Sequence, residues 1–281
     1  VRLLTVGNSF SRNATRYLED LATAAGHRLV HRPVVVGGAS LELHAGKALA
    51  ALADPADSEG RYADGASLPE LLRETEWDYV TIQQASILSH DPETYRPWAR
   101  HLGELVASHA PGAKLLVHQT WAYREDDPRF QKADPAPNEP RTREEMHRGL
   151  DAAYRGIAQE LGARLIPSGT AFFLADSDPE MGYRSDESFD FESAELPALP
   201  DQSRSLHVGW RWRRGGDAPP KLGMDGRHAG LEGEYLAACV WFEVLFGEPA
   251  TGNPFVPPSL SPERAQWLQK TAHRAVAETE H

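Results

Sequence analysis

RLLTVGNSFSRN, residues 2–13, decides how the rest of the chain is read. Arg2 to Val6 has the composition of a short apolar strand, and it runs straight into Gly7, Asn8 and Ser9, residue types that break strands and favour turns. A sharp turn at that point leaves a hydroxyl at the open edge of a sheet, so Ser9 is either a turn residue or a nucleophile. The segment Asn13 to Ala25 follows, with Tyr17, Leu18, Leu21, Ala22 and Ala25 at helical spacing, Ser11 or Asn13 as cap and Gly26 as stop.

The strand-turn-helix unit recurs along the chain. RLVHRPVVVGG (28–38), EWDYVTIQQ (76–84), AKLLVHQTW (113–121) and ARLIPSG (163–169) read as four more strands. Helical patterns cover Pro92 to Ser108, Arg143 to Leu161 with Gly162 beyond it, 233–247, and a C-terminal helix at 261–279. Strands alternating with helices predict an α/β fold, a three-layer α/β/α flavodoxin-like arrangement around a central parallel five-stranded sheet. No linker separates two cores, so 1–281 is expected to be one domain. Residues 176–221, rich in Pro, Gly, Ser and acids, have no clear period and are expected to form an insertion over one rim.

Composition narrows the function classes. The chain has 281 residues, 41% hydrophobic and 25% charged, which is the profile of a globular protein with a substantial core. Its 41 acidic against 29 basic residues give a net charge of −12, which opposes a nucleic-acid or anionic-membrane partner. One cysteine, Cys239, excludes an internal disulfide and a thiolate-rich zinc site, and its apolar surroundings make it a small core residue. No segment reaches the length of a membrane span. Val1 already lies at a strand start, so a leader removed on export to the periplasm or beyond stays open beside a cytoplasmic location.

Ligands of open parallel sheets bind beyond the carboxyl ends of the strands. Those ends here carry Gly7, Asn8 and Ser9; Gly37, Gly38, Ala39 and Ser40; Gln83, Gln84, Ala85 and Ser86; and His118, Gln119 and Trp121. Each group alone reads as turn chemistry or backbone satisfaction. Together they line one rim with small and hydrogen-bonding groups. A serine becomes a nucleophile only beside a base that a third group orients. Among 12 histidines, the one in LGMDGRHAGLEGEYL (222–236) stands out: Asp225 and His228, three apart in a Gly-rich turn, let the carboxylate hold one imidazole nitrogen while the other faces outward.

These blocks, in this order, resemble the SGNH (GDSL-like) esterase superfamily over residues 1 to about 247. The nearer similarity is to a branch with a GNSF opening, a GGxSLxxH block, here Gly37 to His44, and a QQxS block, here Gln83 to Ser86. The resemblance implies an α/β/α SGNH hydrolase without metal or organic cofactor, in which Ser9 attacks an ester carbonyl, His228 moves the proton and Asp225 orients His228. It also implies an oxyanion hole made by the backbone N–H groups of Ser9 and Gly38 and a side-chain amide. The family's asparagine in the third block is missing, so that amide falls to Gln84 or Gln83. The branch suggests a carbohydrate esterase that removes acetyl or another small acyl group from a glycan.

Around the cleft, His44 either hydrogen-bonds a substrate hydroxyl or packs against the loop after the first strand. His118 is expected to face the cleft, with Trp121 and Tyr123 as platforms for sugar rings or as rim packing. HVGWRWRRGG (207–216) alternates Trp210 and Trp212 with Arg211 and Arg213, the period of a strand or hairpin arm with one aromatic face. Three further readings stand beside the glycan esterase: a lipid or short-chain acyl esterase or thioesterase, a metal hydrolase built on His44, His118, His228 and Asp225, and a non-catalytic sugar-binding module.

Overall fold

The computed structural model describes residues 1–136, 138–215 and 218–279. Gly216, at the end of the Trp/Arg run, lies outside the described residues. Strand β1 (Arg2–Gly7) is apolar enough to be buried from Leu3 onward. It turns at Asn8 into α1 (Ser9–Ala14) and α2 (Leu18–Ala24), then β2 (Val30–Val35) and α3 (Leu41–Ala53). Next come α4 (Leu68–Arg73), β3 (Tyr79–Ile82), α5 (Trp98–His109), β4 (Lys114–His118), α6 (Arg143–Leu161), β5 (Arg164–Ile166) and α7 (Ser168–Ser177). A long irregular segment leads to the hairpin of β6 (His207–Gly215) and β7 (Ala218–Ala229), followed by α8 (Leu231–Phe246) and α9 (Pro262–Thr279).

The five parallel strands lie in the order β2-β1-β3-β4-β5. This is the flavodoxin-like order, and it puts the reversal of strand order beside β1. Pro33 sits in β2, an edge strand, where a missing N–H costs no inner ladder bond. Helix α3 packs on α4 and α5, and α5 on α6, to form one outer layer. The other layer is built on α8, which packs on α1, α2, α7 and α9. Helix α8 is buried from Tyr235 to Leu245, as expected of a helix apolar on every side. Among the described residues no helix is long and apolar enough to cross a membrane.

Three boundaries differ from the sequence expectation. The first helix begins four residues early, at Ser9, because the Asn8 side chain supplies the cap; it then breaks where Thr15 Oγ1 donates back to the Ser11 carbonyl. The pattern from Pro92 splits into a short 3₁₀ turn (Pro92–Tyr95) and α5, because Pro97 lacks an N–H to continue the first turn. Asp225 and His228 lie in β7 rather than in a turn before α8, since β6 pairs with β7 in antiparallel register, Gly209 opposite Asp225. As the alternation suggested, Trp210 and Trp212 are half-buried while Arg211 and Arg213 are exposed.

The hairpin is fastened by one buried guanidinium. Arg124 is 1% exposed and forks onto Asp126 at 2.6 and 2.8 Å, while also donating to Gln202 and Ser205. Gly209 passes over this cluster at a φ of +72°, where an added Cβ would stand 2.3 Å from Arg124 Nη1 and 2.1 Å from Gln202 Oε1. Gly209→Ala therefore adds backbone strain of about 1–3 kcal/mol. The expected fall in Tm, at roughly 2–4 °C per kcal/mol, is read by calorimetry; an unchanged Tm would show that the cluster gives way freely.

Candidate active site

Four strand ends are tied together by one buried amide. Asn8 Oδ1 accepts from the backbone N–H of Phe10 at 3.0 Å, capping α1, and from Gln83 Nε2 at 2.7 Å. Asn8 Nδ2 donates to the Ala39 carbonyl, 2.8 Å away in the turn after β2. Gln83 Oε1 in turn accepts from His118 Nδ1 at 2.9 Å, at the end of β4. Behind the loop, His44 Nε2 donates to the Gly7 carbonyl at 3.0 Å, and Nδ1 accepts from Tyr62 at 2.9 Å. These bonds hold Ser9 as the first residue of α1.

Ser9 Oγ lies 2.9 Å from His228 Nε2. His228 Nδ1 faces both carboxylate oxygens of Asp225, at 3.0 and 3.1 Å, and the His228 backbone N–H donates to the same carboxylate at 3.2 Å. A proton on Nδ1 is fixed by that carboxylate, so Nε2 presents a lone pair to the serine hydroxyl. Burial pushes the Asp225 carboxyl up, but the ring and backbone hydrogen bonds from His228 and the charge of Arg227 outweigh burial and hold it far below the usual carboxylate range. Arg211 Nη2 stands 3.7 Å from the outer oxygen.

The strand bearing this pair is docked through its backbone. Trp121 Nε1 donates to the Arg227 carbonyl at 2.8 Å, and the Arg124 N–H donates to the Gly226 carbonyl at 2.9 Å. Trp121 is fully buried, stacked on Phe172 at 4.4 Å and tilted against Phe10 at 4.7 Å. Ser9 and His228 open onto a cleft of about 440 Å³, which Gly37, Gly38, Ala85, Ser86, Ile87, Tyr123, Arg129 and Arg227 also line. Gly38 adopts a φ of +69° in the turn closed by the Ala39 N–H and the Val36 carbonyl.

Several expected site residues lie elsewhere, for reasons of hydrogen bonding and burial. Gln84 is fully buried; its oxygen accepts from the Leu41 and Ala85 N–H groups and its nitrogen donates to the Thr94 carbonyl. With Gln83 committed to Asn8 and His118, neither amide lines the cleft. His44 takes the packing alternative, and burial lowers its pKa to about 4. His118 is sealed between Trp121 and Trp241, and burial lowers its pKa to about 3. Trp121 is a strand anchor, not a sugar platform. Tyr123 does line the cleft, but Arg129 covers its ring at 5.1 Å and donates to its hydroxyl at 3.0 Å. Among the described residues no three His, Cys, Asp or Glu side chains cluster with metal-binding geometry, and His44 and His118 do not join His228.

Ser86 belongs to the strand-end group and the QQxS block, whereas no motif marks Arg129 or Arg227. Arg227 sits between Asp225 and His228 and was legible by adjacency. Arg129 comes from the irregular segment after β4, where no periodicity marks a position.

The chain belongs to the DUF4886 family, a domain of unknown function, whose model matches residues 2–179. That span holds Ser9 and ends before Asp225. The crystal structure of a DUF4886 family protein from Bacteroides uniformis ATCC 8492 is similar over 100% of this chain and 96% of its own, with 25% identity and a TM-score of 0.73. TesA is similar over 65% of this chain and 86% of its own, with 15% identity and a TM-score of 0.38. The psychrotrophic esterase EstA from Pseudoalteromonas sp. is similar over 65% and 84%, with 13% identity and a TM-score of 0.39. No curated protein matches the chain.

Asn8→Ala removes a helix cap and leaves the Ala39 carbonyl and a Gln83 N–H without partners, a loss of about 2 kcal/mol or more by denaturant titration. Asp225→Asn tests the carboxylate. Its folded pKa is depressed, so its stabilisation is present above the unfolded value of about 3.9 and lost as pH falls through the folded value. The Tm gap between wild type and Asp225→Asn is therefore widest near neutral pH and narrows below about pH 4; a gap independent of pH would contradict the assignment.

Proposed function

We propose that this protein is a serine ester hydrolase that removes a small acyl group from a polar, glycan-type alcohol. The observation that carries the reading is the continuous relay from Ser9 Oγ through His228 to Asp225, with both contacts near 3 Å. In this reading Ser9 Oγ attacks the acyl carbonyl while His228 Nε2 takes its proton, and the carbonyl electron pair moves onto oxygen. Collapse expels the alcohol, protonated by His228, and leaves an acyl-serine. Water then adds with His228 as base, and the carboxylic acid departs as His228 returns the proton to Ser9 Oγ.

Two backbone donors for the oxyanion are the N–H groups of Ser9, in the first turn of α1, and Gly38. Neither has an acceptor among the described residues. With Gln83 and Gln84 engaged elsewhere, we assign the third donor to the Ser86 hydroxyl. Tyr123 already accepts from Arg129, so it is free to turn its own O–H on Ser86, 3.1 Å away, and release the serine proton toward the cleft. The lining mixes apolar surface from Phe10, Ala85 and Ile87 with the polar groups of Ser86, Arg129 and Arg227, and those polar groups favour a small acyl group on a hydroxylated alcohol.

Ser9→Ala is expected to lower the turnover of 4-nitrophenyl acetate by on the order of 10⁴-fold or more while Tm stays within a few degrees, and a fluorophosphonate should label wild-type Ser9 alone. Ser86→Ala should cost about 10²-fold in kcat, the scale of one oxyanion donor. Undiminished turnover in Ser9→Ala would end the reading.

A further inference from the structure

Two arginines in the cleft have no acidic partner. Arg227 makes no hydrogen bond or ion pair through its guanidinium among the described residues, and Arg129 donates only to the Tyr123 hydroxyl. Both are half-buried beside Ser9 and His228. The nearby carboxylates are otherwise occupied. Asp225 feels the charge of Arg227 but makes no ion pair with it, being bound to His228 and facing Arg211, and Asp127 accepts the backbone N–H of Arg129 without pairing with its guanidinium.

This is contrary to the charge balance of the chain. With 41 acidic and 29 basic residues, a cation should find a carboxylate easily, and the buried Arg124 and Arg264 do, at Asp126 and Glu232. A partly desolvated guanidinium left without a counter-ion costs stability, and its planar fork fits a carboxylate better than it fits water. Arg129 also borders a second cavity of about 240 Å³, which shares Ile87 and Tyr123 with the cleft; there Lys132 is paired with Glu139, so Arg129 is the cation without a carboxylate contact between the two spaces.

We propose that the Ser9 cleft selects an ester bearing a carboxylate, which Arg227 and Arg129 hold while the neutral ester carbonyl lies at Ser9. The proposal rests on the ester-hydrolase reading and names its substrate class: acyl esters of acidic molecules, such as uronic-acid-type alcohols, rather than of neutral ones. Cation-lined clefts gain affinity and encounter rate for anions, and both gains are screened by salt.

The test compares three esters: neutral 4-nitrophenyl acetate, 3-carboxy-4-nitrophenyl acetate with the charge on the leaving alcohol, and mono-4-nitrophenyl succinate with the charge on the acyl group. Each kcat/KM is divided by the ester's spontaneous hydrolysis rate. At least one charged ester should be preferred by about tenfold or more at low salt. That preference should fall toward unity in Arg227→Gln and in the Arg129→Gln, Arg227→Gln double variant, and the preferred ester tells on which side the carboxylate sits. Calorimetric binding of succinate and of 3-carboxy-4-nitrophenol to Ser9→Ala protein, with and without Arg227→Gln, gives a readout independent of turnover. Hydrolysis without a charge preference overturns the proposal and spares the esterase reading. Arg227-dependent carboxylate binding with every ester inert does the reverse. A preference that survives the double variant also overturns the proposal.

Discussion

One buried carboxamide, that of Asn8, holds the rim together. It stands where β1 must leave the sheet, and its oxygen and nitrogen reach the first turn of α1, the end of β3 and the turn after β2. Through Gln83 the same network reaches His118 at the end of β4. A polar group this deep is tolerated only when its bonds are made, and here the bonds fix the relative heights of four strands. Ser9 follows directly, so its hydroxyl position is set by backbone and amide geometry, not by its own side-chain contacts.

The opposite wall has a different origin. Asp225 and His228 arrive on a two-stranded hairpin outside the central sheet, and two strands alone are marginal in water. Trp121 and Arg124 supply the missing support. An indole N–H and a backbone N–H grip consecutive carbonyls of β7, and the Arg124 guanidinium gathers Asp126, Gln202 and Ser205 beneath β6. The aromatic and cationic residues that resemble ligand contacts in a sequence are here the fastening of one wall to the other.

This difference explains what the sequence could and could not reveal. The five strands were legible as short continuous apolar runs, as a sheet covered on both faces requires, and the long helices by periodicity, as in α6, where the expected Arg143 to Leu161 is the observed span. The spacing of Asp225 and His228 also announced their mutual contact, since three residues suffice to bring them together. The fates of Gln83, Gln84, His44, His118 and Trp121 were not legible. Four of them sit at strand ends that do converge on the rim, and His44 stands in the first turn of α3. Whether such a side chain points into the cleft or back into the packing depends on partners outside its own element, such as Thr94, Tyr62 and Arg227, which lie 10, 18 and 106 residues away. Arg129 had no local signal at all.

The serine and the imidazole that faces it are 219 residues apart in the chain, so their contact closes one of the longest loops in the fold. Until the hairpin settles on Trp121, the hydroxyl at residue 9 has no imidazole beside it. The pairing of residues 9 and 228 therefore waits on the folding of everything that lies between them.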